Sequence, residues 1–167
     1  MAVEIREEGP FGSPVVSLPD GVARHGYYNT EFDVILRAEL TGNQYFMIRQ
    51  REIPPEAAPP FHVHTREDEI WIVNSGTFRF WIGGESLATA AVHDVGPGGV
   101  VYGPRDVPHT FQSLDGAGDV TVLWSPADSQ DYFLSVGEAD EREDFDHPER
   151  LEAIGVRILD RAPVNGA

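Results

Sequence analysis

Phe61-His62-Val63-His64-Thr65-Arg66-Glu67-Asp68-Glu69-Ile70-Trp71-Ile72-Val73-Asn74-Ser75-Gly76 places two imidazoles and a carboxylate in one short span. A β-strand alternates its faces with period two, so His62 and His64 point one way while Phe61 and Val63 point the other. The polar turn from Thr65 to Asp68 leads into a second apolar strand, Glu69 to Asn74, whose first residue can face back toward the two histidines. Neutral imidazole and carboxylate are common ligands of divalent transition ions. Further along, Gly98-Gly99-Val100-Val101-Tyr102-Gly103-Pro104-Arg105-Asp106-Val107-Pro108-His109-Thr110-Phe111 opens a strand at His109 after a proline-bounded turn. The expected metal ligands are therefore His62, His64, Glu69 and His109.

These two stretches resemble the two motifs of the cupin superfamily. The first family pattern runs glycine, five residues, His-x-His, three or four residues, Glu, six residues, glycine; His62, His64, Glu69 and Gly76 fall in register with it. The second runs glycine, five residues, Pro-x-Gly-x-x-His, three residues, Asn; Gly98, Pro104 and His109 match. Glu56, Asp106 and Ser113 stand where two glycines and the asparagine are usual. None of these is a ligand position, and Asp tolerates positive φ better than most residues, so the exchange at Asp106 is mild. The resemblance covers about residues 45 to 125, and the joint occurrence of both motifs is specific in a way that His-x-His alone is not. It implies an all-β fold, a double-stranded β-helix or jelly-roll barrel, with a short C-terminal helical extension.

Composition removes several chemistries. The chain carries 28 acidic against 12 basic residues, a net charge of -16, which argues against nucleic acid or an anionic membrane as partner. It contains no cysteine, so disulfides, thiolate catalysis and iron–sulfur clusters are excluded. It contains no lysine either, which removes Schiff-base chemistry and a Walker-type phosphate site. No apolar run reaches signal-peptide or membrane-span length, so a cytoplasmic protein is expected.

At 167 residues the chain suits one domain. Residues 1–30 read as an N-terminal arm, with Pro14 to Leu18 as an edge strand; 31–125 as the barrel; and 126–167 as a C-terminal extension with short helices. Asp33 to Leu40 and Gln44 to Ile53, turned at Thr41-Gly42-Asn43, read as a hairpin. Pro54-Pro55-Glu56-Ala57-Ala58-Pro59-Pro60 cannot join a ladder and reads as a loop feeding the histidine strand. Short strands follow over residues 77–82, 88–92, 110–113 and 120–124, a spacing that by itself indicates a sandwich or barrel. A helix is expected over 131–136 and another starting at Asp146-His147-Pro148-Glu149. His25, His93 and His147 are read as structural. An open barrel with an N-terminal arm has strand edges to protect, and a homodimer is the expected assembly.

Residues sharing a face with the ligands should line a cavity. Parity with the ligands nominates Trp71 and Phe111 for the substrate pocket; Met47 or Arg49 on the preceding strand, and Phe78 and Phe80, paired on one face of the following one, are added as further candidates. Three imidazoles and one carboxylate leave coordination positions open, which is a catalytic rather than a closed structural arrangement. Glu69 is then the candidate catalytic base as well as a ligand. The closest resemblance is to single-domain cupins of the quercetin-dioxygenase-like type. It implies one divalent ion (Fe, Mn, Ni, Co, Cu or Zn), a flavonol-like or other enolisable aromatic substrate, and O2 as co-substrate. Similar monocupins act as Zn-dependent polyketide cyclases by non-redox, aldol-type chemistry. A small-molecule-binding regulatory cupin is the third alternative.

Overall fold

The computed structural model of the chain describes residues 14–28, 30–116, 118–137 and 148–164. Among the described residues, eleven strands build two antiparallel sheets that face each other. The first sheet takes β1 (Ala23–Tyr27), β2 (Thr30–Leu36), β3 (Phe46–Ile53), β10 (Gly118–Ser125), β5 (Asp68–Ser75) and β8 (Val100–Gly103), in that spatial order. The second takes β11 (Val156–Asp160), β4 (Phe61–His64), β9 (His109–Ser113), β6 (Phe78–Ile82) and β7 (Ala91–Val95). Neighbouring strands are far apart in sequence, with β10 between β3 and β5 and β9 between β4 and β6, which is the winding of the expected jelly roll. Among the described residues no helix is long and apolar enough to cross a membrane.

The apolar alternation of each strand fills the space between the sheets. Phe32, Phe46, Ile48, Trp71, Val73, Phe78, Phe80, Val120 and Val122 are all buried there. Burying each such side chain contributes roughly 1.5–3 kcal/mol to holding the two sheets together. Polar groups gather on the outer face of the first sheet. There Asp33 accepts from Arg24 and Arg51, and Asp119 accepts from Arg49 and Asn74.

The expected hairpin is present as β2 and β3, joined through a 3-10 turn over Ala38–Thr41. Gly42 at φ 59° and Asn43 at φ 65° then carry the left-handed backbone that reverses the chain. Residues 14–18 make no strand; Ser17 bonds Ile35 only through its hydroxyl, and Pro14 has no N–H to donate. The strand expected at 88–92 lies further on, at β7, because Ser86 to Ala90 is spent in a turn closed by Thr89. Helix α1 (Gln130–Ser135) stands within one residue of expectation. Helix α2 (Pro148–Ala153) is present, while the proposed cap at Asp146 and His147 lies outside the described residues. The C-terminal extension also supplies β11, which pairs Val156 with His64 and Ile158 with His62 and so covers the edge of the histidine strand.

Candidate metal centre

The topology brings the four nominated side chains together. His62 and His64 project from one face of β4, and the β4–β9 pairing sets His62 directly beside His109. Glu69, second residue of β5, reaches in from the other sheet, where it lies between Trp124 and Gly103. One ligand atom from each of the four lies within 4.8 Å of all the others. Nε2 of His62 and Nε2 of His64 are 3.0 Å apart, and Oε2 of Glu69 lies 3.2 Å from Nε2 of both His64 and His109. Bonds of about 2.0–2.2 Å to a common ion produce spacings of this size.

The outer side of each ring decides its tautomer. Nδ1 of His62 faces the Pro60 carbonyl at 2.7 Å, Nδ1 of His109 faces the Val107 carbonyl at 3.0 Å, and Nδ1 of His64 faces the Glu67 carboxylate at 2.9 Å. Each therefore carries its proton on Nδ1 and turns an Nε2 lone pair inward. Burial works against charge on Glu69, yet its contacts with His109 and His64 outweigh burial and hold the carboxyl down at about 2. Three lone pairs and an anion converging in a buried site repel one another unless a cation sits among them, so the donor set fits a divalent ion. The ion-free centre takes a proton instead. Burial lowers His64, but the Glu67 and Glu69 carboxylates raise it further, to about 9. Burial, reinforced by His109 and His64, pushes His62 down to about 3.

Residues outside the ligand set hold it in place, and two of these escaped the sequence reading. Glu67, which the sequence places only in the polar turn from Thr65 to Asp68, is 0% exposed and anchors His64. Burial pushes its carboxyl up, and the His64 contact opposes that. Its other partners are the backbone N–H and the hydroxyl of Ser129. The signal was present in the spacing: a carboxylate three residues past a ligand, inside the turn that leads to the next ligand, stands on the far side of the first ring. Asp106 takes φ 65°, the left-handed backbone expected of it, and donates its N–H to the His64 carbonyl at 2.7 Å. Ser113, in the place of the usual asparagine, has a buried hydroxyl without a partner among the described residues.

Trp71 packs edge-on against His109 with ring centroids 4.9 Å apart, and β8 passes close behind both. A Cβ on Gly103 would lie 2.9 Å from the Trp71 ring and 3.1 Å from Nδ1 of His109. Gly103→Ala is therefore expected to cost about 1–3 kcal/mol by overpacking and to weaken ion binding by displacing His109. Thermal unfolding and a metal titration of the variant check both effects.

A cavity of about 290 Å³ opens onto His62, His64 and Glu69. Phe111 lines it, as nominated; Met47, Arg49, Trp71, Phe78 and Phe80 are not among its walls. On β3 the inward residues are Ile48 and Gln50, while Arg49 turns out to bind Asp119. The alternation Phe46, Ile48 against Arg49, Arg51 carried that information. Phe78 and Phe80 are fully buried further along the barrel and belong to its core. Much of the wall comes instead from Trp124 and from the C-terminal extension, through Tyr132, Phe133, Leu151 and Ile154. Tyr28 and Tyr132 join their hydroxyls at 2.6 Å across it.

Similarity to known proteins agrees with this architecture. Among solved structures the chain is similar to KdgF from Halomonas sp., with a TM-score of 0.55 and 18% identity over 66% of this chain and 93% of that one. It is similar to an RmlC-like cupin from Shewanella frigidimarina, with a TM-score of 0.56 and 15% identity over 73% and 98%. It is also similar to a variant of the oxalate decarboxylase of Bacillus subtilis, with a TM-score of 0.55 and 16% identity over 94% of this chain and 46% of that one. At such identities the likeness concerns the fold. No curated protein matches the chain in sequence. Residues 50–126 match the family Cupin_2, described as "Cupin domain", and that span contains all four convergent side chains. Residues 50–126 thus form a cupin domain, wound together with its flanking strands into one barrel.

Proposed function

We propose that the chain is a metal-dependent enzyme that oxygenates a neutral, enolisable ring compound of flavonol or related aromatic type. The observation that carries this reading is the character of the cavity beside the four ligands. Its walls are mostly aromatic and aliphatic, with Thr30, Gln50, Glu56 and Ser129 as the polar groups beside the ligands, and among the described residues no arginine lines it. A small dianion such as the oxalate of the Bacillus neighbour's name would meet Glu56 in the lining and no guanidinium. A phenol or enol brings no net charge, and its flat face suits Phe111, Trp124 and Phe133.

A divalent ion held by His62, His64, Glu69 and His109 would supply Lewis-acid polarisation of a substrate oxygen and, where redox-active, reactivity toward dioxygen. The protein's own groups do the rest. The three Nδ1–H anchors fix the rings, so the centre does not reorganise as charge develops. Glu69 is ionised and accepts the proton of a substrate hydroxyl brought within about 2.6–3.2 Å. The apolar walls keep water from the reacting carbon.

An oxygen electrode tests the reading. Protein loaded with Fe, Mn, Ni, Co or Cu should consume O2 in step with loss of a flavonol or another enolisable phenol. A flat trace across such a panel overturns the oxygenase. Ring closure of a polyketide without oxygen uptake, in protein that purifies with Zn, would put the cyclase in its place.

A further inference from the structure

We infer that Glu67 and Ser129 form a clasp that couples occupancy of the four-ligand centre to closure of the wall that α1 builds over the cavity. The inference rests on the four groups being a metal centre, and goes beyond it to what the C-terminal extension does. Glu67 and Ser129 are both 0% exposed, although they lie 62 residues apart in the chain. A buried carboxylate is costly unless each oxygen is bonded, and here both are. One oxygen accepts from Nδ1 of His64 at 2.9 Å and from the Ser129 hydroxyl, and the other from the Ser129 N–H at 3.0 Å.

Ser129 leads directly into α1, so what holds Ser129 holds the helix start. Two residues of that helix, Tyr132 and Phe133, are cavity walls. Tyr132 bonds Tyr28 through its hydroxyl, and Phe133 lies with its ring centroid 4.6 Å from that of Trp124. Gln130, between them and the clasp, accepts from the Ala38 N–H at 2.7 Å. An unbroken line of contacts thus runs from the inner nitrogen of His64, through its outer nitrogen, Glu67 and Ser129, to the two aromatic walls.

This line works in both directions. An ion held at Nε2 would fix the His64 ring in the orientation that points Nδ1–H at Glu67, and so hold Glu67 on Ser129 and on α1. Opening of α1 removes two of the three donors to Glu67 and leaves the His64 ring free to turn. Coupling of this kind is reciprocal, so the ion must favour the closed wall by the factor by which the closed wall favours the ion. The centre would then seal its own cavity on loading, which suits chemistry that must exclude water.

Hydrogen exchange of the full chain, with and without Ni2+, tests the coupling at residues 129–136. The wild-type protein should bind one Ni2+, and its α1 amides should then exchange about tenfold more slowly. Ser129→Ala keeps all four ligands and should still bind Ni2+, about five- to fifty-fold more weakly, with most of the ion-dependent protection of α1 gone. Glu67→Gln, which keeps the side-chain shape, should behave alike with an unchanged far-UV CD spectrum. A purely packing role for Glu67 would instead speed exchange in α1 equally with and without the ion, and that result overturns the clasp. So does protection of α1 in Ser129→Ala equal to wild type. Wild-type protein that binds no Ni2+ overturns the metal centre itself, which separates that failure from failure of the coupling.

Discussion

Glu69→Gln is expected to remove turnover by more than a thousandfold while leaving the barrel folded. The exchange keeps the side chain's size, so the packing against Trp124 and Gly103 on the flanking strands is retained. What changes is charge and proton affinity. The amide cannot take a substrate proton, and loss of a positioned base typically costs about a hundred- to ten-thousandfold. It also brings an N–H2 into a centre of inward Nε2 lone pairs, where it replaces the one anionic ligand and weakens ion binding. Turnover is read with the substrate found by oxygen uptake, metal content by elemental analysis, and folding by circular dichroism. Unchanged turnover in metal-loaded Glu69→Gln would remove Glu69 from the chemistry and leave it as a ligand only.

Adjacent acids Glu67, Asp68 and Glu69 show how far the sequence could be read. Glu69 was legible because a ligand spacing singled it out, and the structure places it among the three histidines. Asp68 behaves as a surface acid should, pairing with the partly exposed Arg105 at 3.0 Å. Glu67 has the same local surroundings in sequence and the opposite fate, because its burial is decided by Ser129 far along the chain. Local pattern carries period and spacing; it does not carry which distant segment comes to rest on a turn. The same limit explains the cavity. The nominated walls came from strands near the motifs, whereas Tyr132, Phe133, Leu151 and Ile154 come from an extension whose position depends on the β11–β4 pairing. The β3 error was different in kind. Met47 and Arg49 were nominated only as residues of the preceding strand, although the alternation of Phe46 and Ile48 against Arg49 and Arg51 on β3 gave its inward face.

Between pH 7 and about 9, the affinity of the centre for a divalent ion should rise about tenfold per pH unit and then level off. The ion-free site holds one proton on His64, whose raised value of about 9 means that the proton is bound throughout this window. His62, pushed down to about 3, is already neutral, and Glu69, held at about 2, is already ionised. Binding must therefore expel the His64 proton, and the work of doing so falls by about 1.36 kcal/mol for each pH unit gained. The sign is opposite for the ion-free fold. A histidine raised above its unfolded value of about 6.5 contributes its full stability below that pH and loses it as pH climbs toward 9. The gain in Tm on adding the ion should consequently widen with pH, by roughly 3–5 °C per unit for a chain of this size at fixed excess ion. Titration calorimetry in two buffers of different ionisation enthalpy reads the expelled proton directly, close to one per ion at pH 7.5. Proton release near zero, with an affinity that does not change across the window, would mean that no proton stands in for the ion, and that the inward lone pairs are relieved in some other way.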